Sequence, residues 1–419
     1  LYKLFIKINF HFGIALIFSL LTRPLNGKSK YRVLSLNKSI FLNDLNEIKK
    51  VDSELQFLSF PRLLLSEIIK KHVDNFEELN DASYHPLMDG TVQQDKVYKT
   101  MQPVFKHLQW MLKFDAIFAG NYVYVSQQEF FRVAKEKNIP VIVLYKEGIG
   151  AAIKSSSLIS KRMYSGKIFL GNDILFYNSA IQKMLVEAEI PGINYKNTHQ
   201  VGIPRLDHYF KLNIKPSKEK HITLFSFEPH VKAQRFVEDS SKVKEYVQRG
   251  ERFHSDFIRF CVEYPEYSLT IKTKPDPSSR NTIIKILENQ GIKDLPSNVM
   301  ISATEDPVKL IKKSQFIAGS LSTTLLEAML LNKYILCPYF KDIIPNGRID
   351  FFDSHQETVN YIKSYDNLVN TLLEKENLNL ANEESKKLIL EPLMYRIDGL
   401  ASLRTTNKIT EIIESNNIK

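Results

Sequence analysis

Cys261 and Cys337 are the only cysteines in the chain. Two thiols are too few for a disulfide framework or a thiolate zinc site, and their scarcity points to a reducing compartment. Fifteen glycines and seventeen prolines in 419 residues exclude collagen-like, linker-dominated and disordered readings. A long apolar run is also lacking. The fullest, INFHFGIALIFSLLT between Lys7 and Arg23, holds fifteen uncharged residues, short of the ~20 a membrane span needs. No small-x-small cleavage site follows it, since Arg23-Pro24 comes next, so it is not read as a signal peptide. Its basic flank, Arg23, Lys28, Lys30 and Arg32, suits an anionic leaflet, and a helix packed on the protein's own core is the equal alternative. The expectation is a cytoplasmic protein, peripheral at the inner membrane face at most.

What is present is ordinary for a globular protein: 43% hydrophobic and 25% charged residues. At ~150 residues per domain the length implies two or three domains. Lys and Arg number 57 against 47 Asp and Glu, leaving +10 and a pI near 9.2. Anionic partners follow from that balance. Nucleic acid is not expected among them, because the lysines are scattered and no arginine-rich stripe occurs.

Short apolar runs alternate with amphipathic stretches, the pattern of a parallel sheet covered on both faces. Strands are expected at 31–36, 114–120, 139–145, 167–171 and 198–202, with SELQFLSFPRLLLSEIIKKHV read as helical. The polar segment KLNIKPSKEKH, 211–221, reads as a linker. The alternation then restarts, with strands at 222–227, 267–273, 299–303, 315–319 and 334–340 and helices near 250–264 and 281–290. The expected fold is α/β: two Rossmann-like domains with parallel sheets facing a cleft, plus N-terminal and C-terminal helices. The boundaries are an apolar and basic helix at 1–29, a first domain at 30–212, a second at 218–385 and terminal helices at 386–419. Ligands of such sheets bind beyond the carboxyl ends of strands.

Five segments at such ends hold chemistry. In Lys146-Glu147-Gly148 a strand-end carboxylate with a raised pKa would act as a base, and Gly148 would let backbone approach a ligand; an exposed turn is the alternative. In Val201-Gly202-Ile203-Pro204-Arg205-Leu206-Asp207, Arg205 either pairs with Asp207 or faces the cleft. Phe227-Glu228-Pro229-His230 supplies Glu228 and the best-placed histidine, His230. Lys272, Lys274 and Asp276 flank a rigid Pro turn that is either a phosphate clamp or a solvated loop. In Gly319–Met329 a strand meets Ser320, Ser322, Thr323 and Thr324 at a helix start, where amides and hydroxyls bind phosphate or cap the helix. Glu327, a turn further in, would accept bonds from a ribose.

The stretch G-S-x-S-T-T-x-L-E-A-M resembles the nucleotide-binding segment of GT-B glycosyltransferases. V-G-I-P-R-L-D resembles the G-x-P-R-x-D segment of bacterial surface-polysaccharide transferases and CDP-glycerol glycerophosphotransferases. The motif order also looks like that of bacterial sialyltransferases and Kdo transferases, with an acidic-acidic-Gly motif, a Lys/Arg-x-His-Pro motif and a Ser-Ser/Thr motif. The counterparts are Lys146-Glu147-Gly148, Lys274-Pro275-Asp276-Pro277 and Ser322-Thr323-Thr324. Lys146 replaces the first acid, and the histidine of the second motif is missing: Lys274 or Asp276 stands in its place, with His230 as the alternative substitute.

The resemblance covers about residues 110–340. It implies a metal-independent glycosyltransferase without a cofactor, taking a nucleotide-sugar donor and a surface-polysaccharide or lipid-linked glycan acceptor. Glu147 and His230 would be catalytic; Gly148, Arg205, Glu228, Lys272, Lys274, Asp276, Ser320, Ser322, Thr323, Thr324 and Glu327 would bind the donor. The alternatives are glycerol phosphate transfer from CDP-glycerol, a UDP-N-acetylglucosamine 2-epimerase, and a non-catalytic nucleotide- or glycan-binding protein.

Overall fold

Strands as apolar as VIVLY and FIAG are sheet interiors, because nothing in them tolerates water on either face. In a computed structural model of the chain they lie there, in two sheets. The structure describes all residues except 37–38, 75, 77–78, 80–83, 85–91, 148, 150–165, 213–218, 238, 276, 345–349, 375–377 and 418–419. The chain forms two compact units, Leu1–His208 with Pro392–Lys419, and Tyr209–Glu391.

The first unit carries seven strands: β1 (Arg23–Pro24), β2 (Tyr31–Leu36), β3 (Leu55–Phe60), β4 (Ala116–Ala119), β5 (Val141–Tyr145), β6 (Asp173–Phe176) and β7 (Thr198–Gln200). Their order is β1-β3-β2-β4-β5-β6-β7, and every pairing is parallel except β1 with β3. The second unit carries β8 (His221–Phe225), β9 (Ser268–Lys272), β10 (Val299–Ser302), β11 (Phe316–Gly319), β12 (Tyr334–Pro338) and β13 (Asn360–Ile362). Its order is β10-β9-β8-β11-β12-β13, parallel throughout. This is the doubly wound Rossmann order, reversing between β8 and β11.

Three expectations need correcting. The stretch read as helical from Ser53 begins as strand β3; only after Pro61, which cannot donate to a ladder, does it turn into the helix Leu65–His72. KIFLG at 167–171 stays outside the sheet, its Phe169 amide bonding the Pro191 carbonyl at 2.9 Å, and the strand lies a few residues later at β6. The C-terminal segment is not a separate appendage. The helix Glu383–Met394 contains Pro392, where the chain leaves the second unit, and the helix Ala401–Asn417 belongs to the first.

The V-G-I-P-R-L-D segment explains that return. Gly202 sits at φ +89°, and a Cβ there would meet the Met394 carbonyl at 3.0 Å and the Ala401 Cβ at 3.1 Å. The Asp207 carboxylate accepts the amides of Ala401 and Ser402 at 3.1 and 2.6 Å, capping the last helix. Arg404 donates its Nε–H to the Val201 carbonyl at 2.9 Å, and Asn178 reaches the Leu393 carbonyl at 2.7 Å. Burial pushes the Asp207 carboxyl up, against the Ser402 and Ala401 bonds and Arg404.

In the second unit, the helix Val243–Glu263 buries His254 completely. Its Nδ1–H donates to the Gly250 carbonyl at 2.7 Å, so Nε2, 3.2 Å from the Ser226 hydroxyl, accepts. Burial pushes this imidazole down to about 4, the Gly250 bond opposing. An unfolded histidine titrates near ~6.5. Between those values the unfolded chain takes a proton that the fold excludes, so this contribution is complete above that window and lost as pH falls through it. His254→Gln should therefore flatten the pH dependence of second-unit stability by up to about 1.4 kcal/mol per pH unit. Urea titrations of both proteins between pH 4 and 7 would measure it; parallel curves would show that His254 carries no such proton linkage. The difference between the two proteins is the readout, because Asp256 and Asp350, raised to about 6 by burial, titrate in the opposite sense.

Candidate functional sites in the two units

In the second unit, pairing register does the assembling. Gly319 on β11 pairs with Phe225 on β8, which pairs with Lys272 on β9. Three neighbouring strands therefore end on one line, and their loops leave from it at the point where strand order reverses. A Cβ on Gly319 would meet the Phe225 carbonyl at 3.0 Å, so glycine allows the β8–β11 approach there.

Beyond β11 the chain turns through Ser320, buried, and Leu321, held at φ +49°. A left-handed leucine costs about 1–3 kcal/mol and persists only where its surroundings impose it. Ser322 caps the helix Thr323–Leu330: its Oγ lies 3.4 Å from the Thr324 amide and 2.6 Å from the Thr324 hydroxyl. The turn thus holds hydroxyls and helix-start amides at one strand end, the two chemistries that bind phosphate oxygens. Glu327 accepts the Tyr209 hydroxyl at 2.5 Å.

Beyond β8, Glu228 accepts the Ser279 hydroxyl at 2.9 Å, and Pro229 opens the next helix. His230 is exposed, its Nε2 3.4 Å from the Glu251 carboxylate. At the end of β9, Lys272 directs its ammonium to the carbonyls of Thr273 at 2.7 Å and Ala303 at 3.0 Å, and burial lowers its pKa against the pull of Asp306 and Glu305. Lys274 is exposed. Asp276 lies outside the described residues.

In the first unit, strand order reverses between β2 and β4. Glu147 follows β5, next to β4. Its Oε1 accepts the Tyr124 hydroxyl at 3.2 Å and the Asn121 amide at 3.5 Å, and the Lys146 ammonium contacts the same oxygen. Burial raises the carboxyl, but Lys146, Tyr124 and Asn121 together outweigh it and hold it below its ordinary value. The raised pKa expected for Glu147 is thereby corrected: the lysine in place of a first acid keeps the carboxylate charged. Gly148 lies outside the described residues.

Arg62, buried just after β3, donates to the Ser126 hydroxyl at 2.6 Å and sits 4.8 Å from the Tyr124 ring centre. The sequence reading passed over it because a helix assigned to that stretch hid the strand end; Pro61 was the signal available.

Arg205 does not pair with Asp207. It pairs with Asp44, buried on the helix Ser39–Ile48, through its backbone amide at 3.0 Å and its guanidinium at 3.3 Å, and donates to the Tyr177 hydroxyl at 2.7 Å. The structure therefore brings together Lys272, Glu228, His230 and the Ser320–Thr324 turn in one unit, and Glu147, Lys146, Asn121 and Tyr124 in the other, with Arg205 in a separate buried cluster. Among the described residues no three His, Cys, Asp or Glu side chains group as metal ligands.

No protein-family model matches the chain, and no curated protein matches it in sequence. Among solved structures it is similar to Staphylococcus aureus MnaA in a co-structure with UDP, with 13% identity over 92% of this chain and 97% of that one, at a TM-score of 0.50. A candidate UDP-N-acetylglucosamine 2-epimerase from Listeria monocytogenes gives 12% identity over 92% and 98%, also at 0.50. At this identity the likeness is one of fold: α/β, two Rossmann-like units, the GT-B class.

Proposed function

We propose that this chain is a nucleotide-sugar enzyme, and specifically a glycosyltransferase moving a sugar from a UDP-linked donor to a hydroxyl of a surface-polysaccharide or lipid-linked glycan. The observation that carries the reading is the line of strand ends at the second unit's switch point, with a hydroxyl-rich helix start on one side and Lys272, Glu228 and His230 on the other. The UDP held by MnaA favours uridine among the nucleotides. The donor's phosphates rest on the Ser320–Thr324 turn, with Glu327 toward the ribose. Glu147 takes the acceptor hydroxyl's proton as its oxygen bonds the anomeric carbon and the bond to phosphate breaks. The leaving phosphate's charge is met by amides, hydroxyls and lysine already in position.

Thermal stability in the presence of CMP, CDP, UDP and GDP tests this. A ligand at a hundredfold excess over its Kd adds about 2.7 kcal/mol, and UDP is expected to do so selectively. Stabilisation by none of the four removes the reading. Ser322→Ala combined with Thr323→Ala should weaken UDP binding roughly tenfold, about one hydrogen bond's net worth; unchanged affinity by calorimetry would reduce the turn to a helix cap.

The fold likeness to the Listeria protein favours a second reading, epimerisation of free UDP-N-acetylglucosamine. Conversion of that nucleotide sugar with no acceptor present would establish it over transfer.

A further inference from the structure

The helices Tyr2–Lys7 and His11–Leu21 cover the first unit with one face and leave the other bare. Inward, Ile6, Gly13, Ile14, Ala15 and Phe18 are buried, the Phe18 ring lying 5.1 Å from Phe60. The pair is fastened by the Tyr2 hydroxyl to the Leu64 carbonyl at 2.6 Å and by the Lys71 ammonium to the Ile6 carbonyl at 2.6 Å. Outward, Phe12, Leu16 and Leu20 recur every fourth residue as one stripe, Leu20 being 73% exposed, and Leu4 and Ile8 are 53% and 60% exposed.

Phe12 stands edge-on to His107 at 5.4 Å on the helix Val92–Leu112. One turn further on that helix is Trp110, the chain's only tryptophan, 69% exposed. The exposed Lys106 lies about one turn before it on the same helix, and the exposed Lys113 follows directly on that helix's end. The first 43 residues contain no Asp or Glu and seven Lys or Arg. Among the described residues no helix is long and apolar enough to cross a membrane.

We propose that this face lies on an anionic lipid surface, the Phe12–Leu16–Leu20 stripe and Trp110 entering the headgroup boundary while the surrounding lysines meet lipid phosphates. An apolar stripe with an interfacial tryptophan and a cationic border fits that boundary. A second copy of the chain fits poorly, because a two-fold contact would set these cations against themselves. The inference is independent of any nucleotide chemistry.

The full chain would be sedimented with vesicles of phosphatidylcholine alone or mixed with phosphatidylglycerol, and Trp110 emission followed. Binding is expected to the anionic vesicles only, with a blue shift, and to weaken about fivefold for each lysine neutralised at Lys106 or Lys113. Leu16→Asp with Leu20→Asp should lower vesicle binding at least tenfold and keep the melting temperature, since both side chains face water. No preference for anionic vesicles, binding without a blue shift, or full binding by that double variant would overturn the proposal. So would a concentration-dependent dimer that the double variant abolishes, which would make the face a self-interface.

Discussion

Glu147→Gln is expected to lower sugar transfer by roughly 10²–10⁴-fold, the usual contribution of a positioned general base, and to leave UDP affinity unchanged. Glutamine keeps the side chain's size and its bonds from Tyr124 and Asn121, and the residue is only half-buried, so folding should not suffer. The amide cannot take a proton. The depressed pKa adds a pH signature. Because Lys146, Tyr124 and Asn121 hold Glu147 charged, the acid limb of the rate profile should lie below the ordinary glutamate range. Lys146→Met should move that limb upward, since burial, the largest single influence on Glu147, would then act with less opposition. Steady-state rates across pH 4–8 for the three proteins would decide; undiminished transfer by the glutamine variant would remove Glu147 from the chemistry.

The largest expected stability effect lies at Asp44. Its buried carboxylate accepts the Tyr177 hydroxyl at 2.5 Å and the Arg205 guanidinium at 3.3 Å. Burial drives the Tyr177 hydroxyl far above its ordinary pKa, with Arg205 opposing, so the phenol stays a neutral donor to Asp44. Asp44→Ala leaves the largely buried Arg205 charge without its carboxylate and should destabilise the first unit by about 3 kcal/mol. The double change Asp44→Leu with Arg205→Met removes both charges and should cost much less than the single one. Denaturant unfolding measures both. UDP affinity in the double variant separates an architectural Arg205 from one that contacts the donor: unchanged affinity is expected, and its loss would return Arg205 to the donor site.

Much of this fold was legible because buried parallel strands announce themselves as continuous apolar runs: VIVLY, AIFA, ITLF, LTIK and FIAG all read correctly. LQFLSF did not, because it merges with the amphipathic helix behind it and only Pro61 divides them. KIFLG carries strand-like residues, yet its Phe169 amide is spent on Pro191 instead of a ladder. The hydroxyl turn after β11 was readable as a helix start, because Ser322 stands where an N-cap is expected and its Oγ meets the Thr324 amide. The electrostatics of Glu147 were not, since the sign of its shift depends on Tyr124 and Asn121, some 25 residues away in the chain. Nor could the partners of Arg205 and Asp207 be read, one lying 161 residues upstream and the other nearly 200 downstream.

The helix Ala401–Asn417, docked on Gly202 and Asp207, makes the first unit discontinuous in sequence and gives protein synthesis an unusual order. Domains generally fold as they emerge from the ribosome, N-terminal first. Here the second unit, Tyr209–Glu391, is contiguous and can close while the ribosome is still translating. The first unit, begun earlier, must wait with the Asp207 carboxylate and the Val201 carbonyl unmatched until the helix Ala401–Asn417 has been made. The half of the protein holding Glu147 is therefore completed after the second unit, so a nascent chain has the unit proposed to bind the nucleotide before it has a finished setting for the proposed base.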